Sequence, residues 1–190
     1  MPSAIDISNQ ALVLLGASPI VSFDDETTEA NVLKIMYETS KAQFLRDYPW
    51  RAATKYATLA KSTEKPLDPD WDHIFAWPDD AVRILKIVGS NYPNDPMPKW
   101  KSVGNEIYSR TDSISAEYVY DIPEPQMDSL MSGALADRIA MDLSYTITGS
   151  NTRESNMAGR YERKIEEARL VDRQEATHVN FRISTLTDPR

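Results

Sequence analysis

The chain has 190 residues, 41% of them hydrophobic, with 21 Lys and Arg against 29 Asp and Glu and a formal net charge of −8. That length holds one sizeable core, or a core with a smaller appended layer. The absence of cysteine excludes disulfides and thiolate catalysis, and no basic patch dominates as a free nucleic-acid binder requires.

The lead-in "MPSAIDISNQALVLLG" is acidic rather than basic, so no secretory leader is predicted, and no apolar run is long enough to cross a membrane. Residues 4–15 read as a short helix with Ile7, Ala11, Leu14 and Leu15 on one stripe and Gly16 as its C-terminal cap. After a loop, Asp25, Thr27 or Thr28 is placed to cap a second helix, with Glu26 and Glu29 in its first turn. That helix carries Ala30, Leu33, Tyr37, Phe44 and Tyr48 on a slowly drifting face.

Pro49 and Trp50 then break the pattern. Proline lacks the donor N–H and restricts the residue before it, so a helix must end or begin there. Ala52, Ala53, Ala57, Leu59 and Ala60 follow as good helix formers, and the reading is a corner between helices filled by Trp50.

Prolines at 66, 69 and 78 are too closely spaced for a regular helix. "RILKIVG" reads as a strand, "KWKSVG" and "NEIYSR" as a hairpin around Gly104-Asn105, and "SAEYVY" as a further strand. A small antiparallel sheet over about 82–120 is therefore expected, with no βαβ repeat to build a nucleotide-binding parallel sheet. Met131, Leu135, Ile139 and Leu143 repeat every four residues in the next helix, and Thr148-Gly149-Ser150 makes a turn. A last helix over 153–175 has Met157, Tyr161, Ile165 and Ala168 as its buried stripe, and the tail "THVNFRISTLTDPR" adds a strand or extends from the body. The predicted class is α+β: a bundle of about four helices (1–65 and 126–176) with an inserted β-rich domain (66–125) and a C-terminal tail (177–190).

Few residues suggest reaction chemistry. His73 and His178 lie far apart and outside any metal motif, and neither a glycine-rich phosphate loop nor a nucleophile elbow is present. The acids cluster as Asp24-Asp25-Glu26, as Asp68, Asp70 and Asp72, and as Asp79-Asp80, but a glycosidase needs two carboxyls facing each other across a cleft. Trp50, Trp71, Trp77 and Trp100 avoid the helical stripes; they close the seam between body and sheet, or some anchor a protein contact. In the last helix Arg153, Arg160, Arg163, Lys164, Arg169 and Arg173 interleave with acids, a pattern that solvates itself through near-neighbour pairs or docks a charged partner.

The order of features resembles the tail tubular protein A family of short-tailed phages, over nearly the whole chain. The likeness starts with "ALVLLGASPIVSFDDETTEA" and runs through "YETSKAQFLRDYPWRAATKYATLA", whose Tyr, Leu and Pro-Trp spacing is the most diagnostic element. It continues in "WDHIFAWPDDAVRILKI", "GNEIYSRTDSISAEYVYDIPEP", "MSGALADRIAMDLSYTITGS" and "YERKIEEARLVDRQE". The resemblance implies a non-enzymatic virion protein of the phage tail, assembled in the host cytoplasm. It implies a dodecameric head-to-tail adaptor ring between the portal protein and the tail nozzle protein, lining the exit channel for double-stranded DNA without binding it specifically. No catalytic, cofactor or metal residue carries over, and no membrane is involved. A chain that is monomeric until it meets its portal is compatible with this. The expected interface residues are Trp50, Trp71 and Trp77 from the aromatic reading, with Arg153, Arg160, Arg163, Lys164, Arg169 and Arg173 of the last helix, which the resemblance places toward the portal or a neighbouring subunit. The alternatives kept beside it are a glycan or cell-wall hydrolase carried in the tail and an assembly-regulating binding protein.

Overall fold

The computed structural model describes residues 1–89 and 98–176. It begins with helix α1 (Ala4–Leu15), where Ser3 and Asp6 form a reciprocal capping box and Gly16, at φ 70°, ends the helix in the left-handed region. Helix α2 (Thr28–Asp47) is capped by the Thr27 side chain, which accepts from the Ala30 N–H. After the Pro49 corner, a 3₁₀ turn (Arg51–Ala53) leads into strand β1 (Thr54–Thr58). Strands β2 (His73–Ala76), β3 (Ala81–Gly89), β4 (Trp100–Val103), β5 (Glu106–Ser109) and β6 (Ile114–Tyr120) follow. The chain closes with helices α3 (Ser129–Thr148) and α4 (Asn151–Ala176), joined through Gly149 at φ 64°.

The architecture is α+β, as the sequence predicts, with four helices and two three-stranded antiparallel sheets among the described residues. One sheet has the order β1-β6-β3 and the other β2-β5-β4, so the expected single sheet is two. A bridge between Lys61 and Phe75 links the chain leaving β1 to β2. Leu59, Phe75, Ile87, Ile107, Ile114, Ala116 and Tyr118 fill the space between the sheets. The helices share a larger core that reaches from Ile7 and Leu12 through Phe44, Leu135 and Ile165 to Val119 of β6. Strand β6 therefore serves both cores, because alternate side chains point to opposite faces.

The helix expected beyond the corner is corrected. Residues 54–58 pair in register with β6, from Thr54 opposite Val119 to Thr58 opposite Ser115. Helix propensity differs among these residues by tenths of a kcal/mol, and a strand partner outweighs it. The four residues of β2 are a strand that the proline-rich stretch conceals. The tail 177–190, His178 included, lies outside the described residues.

Helices and sheet are tied by an ion triad around a buried lysine. Lys41 of α2 is 5% exposed, and its Nζ lies 2.8 Å from Asp121 and 2.9 Å from Glu124, just past β6. Tyr37 donates to the same Glu124 carboxylate at 3.2 Å. Burial is the largest influence on both Lys41 and Glu124 and works against their charges, but the hydrogen bonds and opposite charges outweigh it. The net result is a raised Lys41 pKa and a lowered Glu124 pKa.

The lowered Glu124 pKa stabilises the fold above the ordinary 4.5 and loses that contribution as pH falls through the depressed folded value. The raised Lys41 pKa does the reverse, contributing below 10.5 and fading as pH rises through the elevated value. Glu124→Gln is thus expected to flatten the loss of stability between about pH 5 and about pH 3, read by urea unfolding. An acid limb identical to that of the native chain would disprove it.

Candidate interaction site at the end of the last helix

Three expected interface residues, Trp50, Arg169 and Arg173, meet at one place. Tyr48 sits at φ −146° and ψ 139°, the extended geometry a following proline demands. The chain therefore leaves α2 abruptly and Trp50 folds back beneath it. Its ring stacks on Phe44 at 4.9 Å between centroids and meets Tyr48 edge-on at 4.8 Å. Its Nε1 donates to the Phe44 carbonyl at 3.4 Å, satisfying a carbonyl of the helix's last turn.

Helix α4 closes on this corner from the other side. Asp172 accepts from the Arg51 backbone N–H at 3.1 Å, and Glu175 pairs with the Arg51 guanidinium. The guanidinium groups of Arg169 and Arg173 lie 5.2 Å and 5.7 Å from the centre of the Tyr48 ring. Burial pushes the Tyr48 phenol above its ordinary pKa, and Arg173 partly opposes that shift.

Beside the corner a groove of about 600 Å³ opens between the end of α4 and sheet β1-β6-β3. Its walls include Pro49, Thr54, Tyr56, Leu85, Glu117 and Arg173. The site is amphipathic, an aromatic and aliphatic floor with charges of both signs at the rim. Such a surface suits contact with a polypeptide.

The other expected residues are scattered and mostly engaged within the chain. Arg153 donates to the Leu15 carbonyl at the end of α1. Arg160 reaches Asp137 of α3 at 3.0 Å, where the carboxylate is 4% exposed. Lys164 pairs with Glu167 at 3.2 Å, and Arg163 is exposed on the outer side of α4. Trp71 and Trp77 flank β2 outside any strand; Trp77 packs against the core between the sheets, its Nε1 donating to the Ala81 carbonyl at 3.3 Å. Trp50 is 2% exposed, so its place as a surface contact is corrected: it is a core residue that builds the site from beneath. Arg51, Thr54, Tyr56, Leu85, Glu117 and Asp172 are site residues that the sequence reading did not single out, and Tyr48 it placed only on a helix face. Only Tyr48, adjacent to a proline, carries a local signal.

Among the described residues the acid clusters of the sequence do not converge on a shared cleft. Asp24 pairs with Lys34, Asp80 with Lys55, Asp112 with Lys61, Asp68 with Lys101 and Asp70 with Arg110. Each is neutralised on its own stretch of surface, and His73 lies 3.6 Å from Asp112 in an open position. Among the described residues no three His, Asp or Glu side chains gather where a metal would sit.

Two substitutions separate scaffold from surface. Trp50→Ala is expected to cost about 3–5 kcal/mol in urea unfolding, since a large aromatic leaves a cavity under the corner. Arg160→Ala should cost about 1–3 kcal/mol by leaving the buried Asp137 carboxylate unpaired, whereas Arg163→Ala should stay within about 0.5 kcal/mol. Equal costs at the two arginines would refute this division of α4. Comparison of the chain with protein-family models and with curated proteins finds no match.

Proposed function

We propose that the chain is a structural head-to-tail adaptor of a short-tailed phage virion. In this reading it assembles in the host cytoplasm into a ring, a dodecamer in the virion, that joins the portal protein to the tail nozzle protein. The observation that supports it best is the mounting of α4. Arg153 fixes one end to α1 and Asp172 with Glu175 fixes the other to the corner, while Arg163, Glu166 and Leu170 remain exposed along its outer side. Leu170 is 58% exposed, an apolar point among interleaved charges.

A helix held at both ends presents those groups without paying ordering entropy on docking, which favours binding to a large rigid partner. Rings are built from heterologous contacts, in which one face of a subunit meets a different face of the next. The net charge of −8 fits a channel through which DNA passes, because like charge avoids the phosphate contacts that would hold the duplex.

Light scattering of the protein alone, and then mixed with its portal, tests the proposal. The expected outcome is a complex of one adaptor ring per portal, formed from monomer or from a preformed ring. No association at any ionic strength would overturn it.

A further inference from the structure

We infer that the groove beside the Pro49–Trp50 corner receives the Leu67 loop of a second copy of this chain, a contact that deepens the adaptor reading and rests on it for the ring it serves. Leu67 is fully exposed and stands between Pro66 and Pro69. Each proline holds its own φ near about −65° and restricts the residue before it. The loop is also tied down at its base. The Ser62 N–H donates to the Ile74 carbonyl at 2.8 Å, the Trp71 N–H to the Asp68 carbonyl at 3.2 Å, and Arg110 Nε to the Asp70 carbonyl at 2.6 Å. An apolar side chain that packs on nothing in its own chain is thus presented on a preorganised support, which lowers the ordering cost of docking.

Knob and groove lie on opposite sides of one sheet. Ile114, Ala116 and Tyr118 of β6 face the core between the two sheets, whereas Glu117 faces the other way, with Tyr56 opposite it on β1. Leu85 of β3 belongs to that second face, where it packs on the helical core. The groove is therefore on the helical side of sheet β1-β6-β3. Sheet β2-β5-β4 packs on the other side, and it anchors the loop through Ile74 of β2, through Arg110 just past β5 and through Lys101 of β4, 3.8 Å from Asp68. The two parts cannot meet within one chain. Between copies they make a heterologous contact, the kind that closes into a ring or runs on as a filament.

The chemistry of the two parts is complementary. Tyr56 is 68% exposed although it lies mid-strand, and with Pro49 and Leu85 it gives the groove an apolar floor for a leucine. At the rim, Glu117 and Arg173 form no ion pair among the described residues. Lys65 on one side of Leu67 is likewise unpaired among them, and Asp68 on the other side has only the loose contact with Lys101. The loop thus offers a cation and an anion to a rim that holds one of each. About four residues take part, against the ~20–30 on each side of a stable interface, so two copies pair weakly and a closed ring holds many such contacts at once.

The chain has no cysteine, so engineered thiols report on this contact alone. Full-length Tyr56→Cys and Leu67→Cys chains are mixed in equal amounts at high concentration and oxidised, with and without the portal. The disulfide joining position 56 of one copy to position 67 of another is expected in about tenfold excess over either like pair. Lys65→Glu in the second chain should lower that yield, and Glu117→Lys in the first should restore it. Mixed and like pairs in the proportions of random collision would overturn the inference. A mixed disulfide in a chain that does not bind its portal would keep this contact and remove the adaptor reading. A ring on the portal without the mixed disulfide would do the reverse.

Discussion

The first passage of the chain from helix to sheet turns on the Trp50 ring. Pro49 stops α2 and forces Tyr48 into extended geometry, but a proline alone does not decide where the chain goes next. The stacking of Trp50 on Phe44 and its edge contact with Tyr48 set that direction. With the ring 2% exposed, the turn is part of the core and not a surface loop. The direction in which β1 starts then fixes its register against β6, and β6 carries both cores. The same corner offers Tyr48 to Arg169 and Arg173 and the Arg51 N–H to Asp172, so the course of the last helix depends on it too.

The Lys41 triad plays the complementary part where the chain leaves the same end of β6. A buried ammonium is stable only when its partners offset the desolvation, and here two carboxylates and a phenol surround the site. Its partners come from the segment that leaves the sheet for α3, so the charge specifies where that segment crosses α2. An apolar residue would fill the volume without selecting a position along the helix. Arg138 does similar work inside the bundle, reaching Asp142 at 2.9 Å on its own helix and Asp47 at 3.2 Å on α2.

Much of this was legible in the residues because the helices announce themselves locally. The spacing of Leu33, Tyr37 and Phe44, and of Met131, Leu135, Ile139 and Leu143, places them on the buried faces that the structure shows. The Gly104 turn at φ 59° and its flanking strands were equally readable. What failed was the stretch after Trp50, where the alanines favour helix but the partner that makes a strand of them lies some sixty residues on, at Ser115 to Val119. The site shows the same limit. Tyr48 and Trp50 could be found from one proline, whereas the bond between Arg51 and Asp172 spans 121 positions and leaves no local trace. A charge-rich helix also hides which of its arginines are spoken for, since Arg160 and Arg163 look alike until Asp137 is placed.

That last distinction bears on how a protein of this kind presents a surface. Four arginines of α4, at 153, 160, 169 and 173, hold the helix down, and the fifth, Arg163, is displayed on its outer side. The holding contacts are spaced along the helix, roughly at its start, middle and end, so no long stretch is free to bend away. Exposed ion pairs contribute little to stability, and the pair between Lys164 and Glu167 belongs to that class. Such groups are available to exchange their neighbours for those of a partner at small cost. The stability of the helix and the chemistry of its outer face are thereby carried by different residues, and one can vary without the other. A subunit that must keep its own fold while meeting dissimilar neighbours on different sides is well served by that separation.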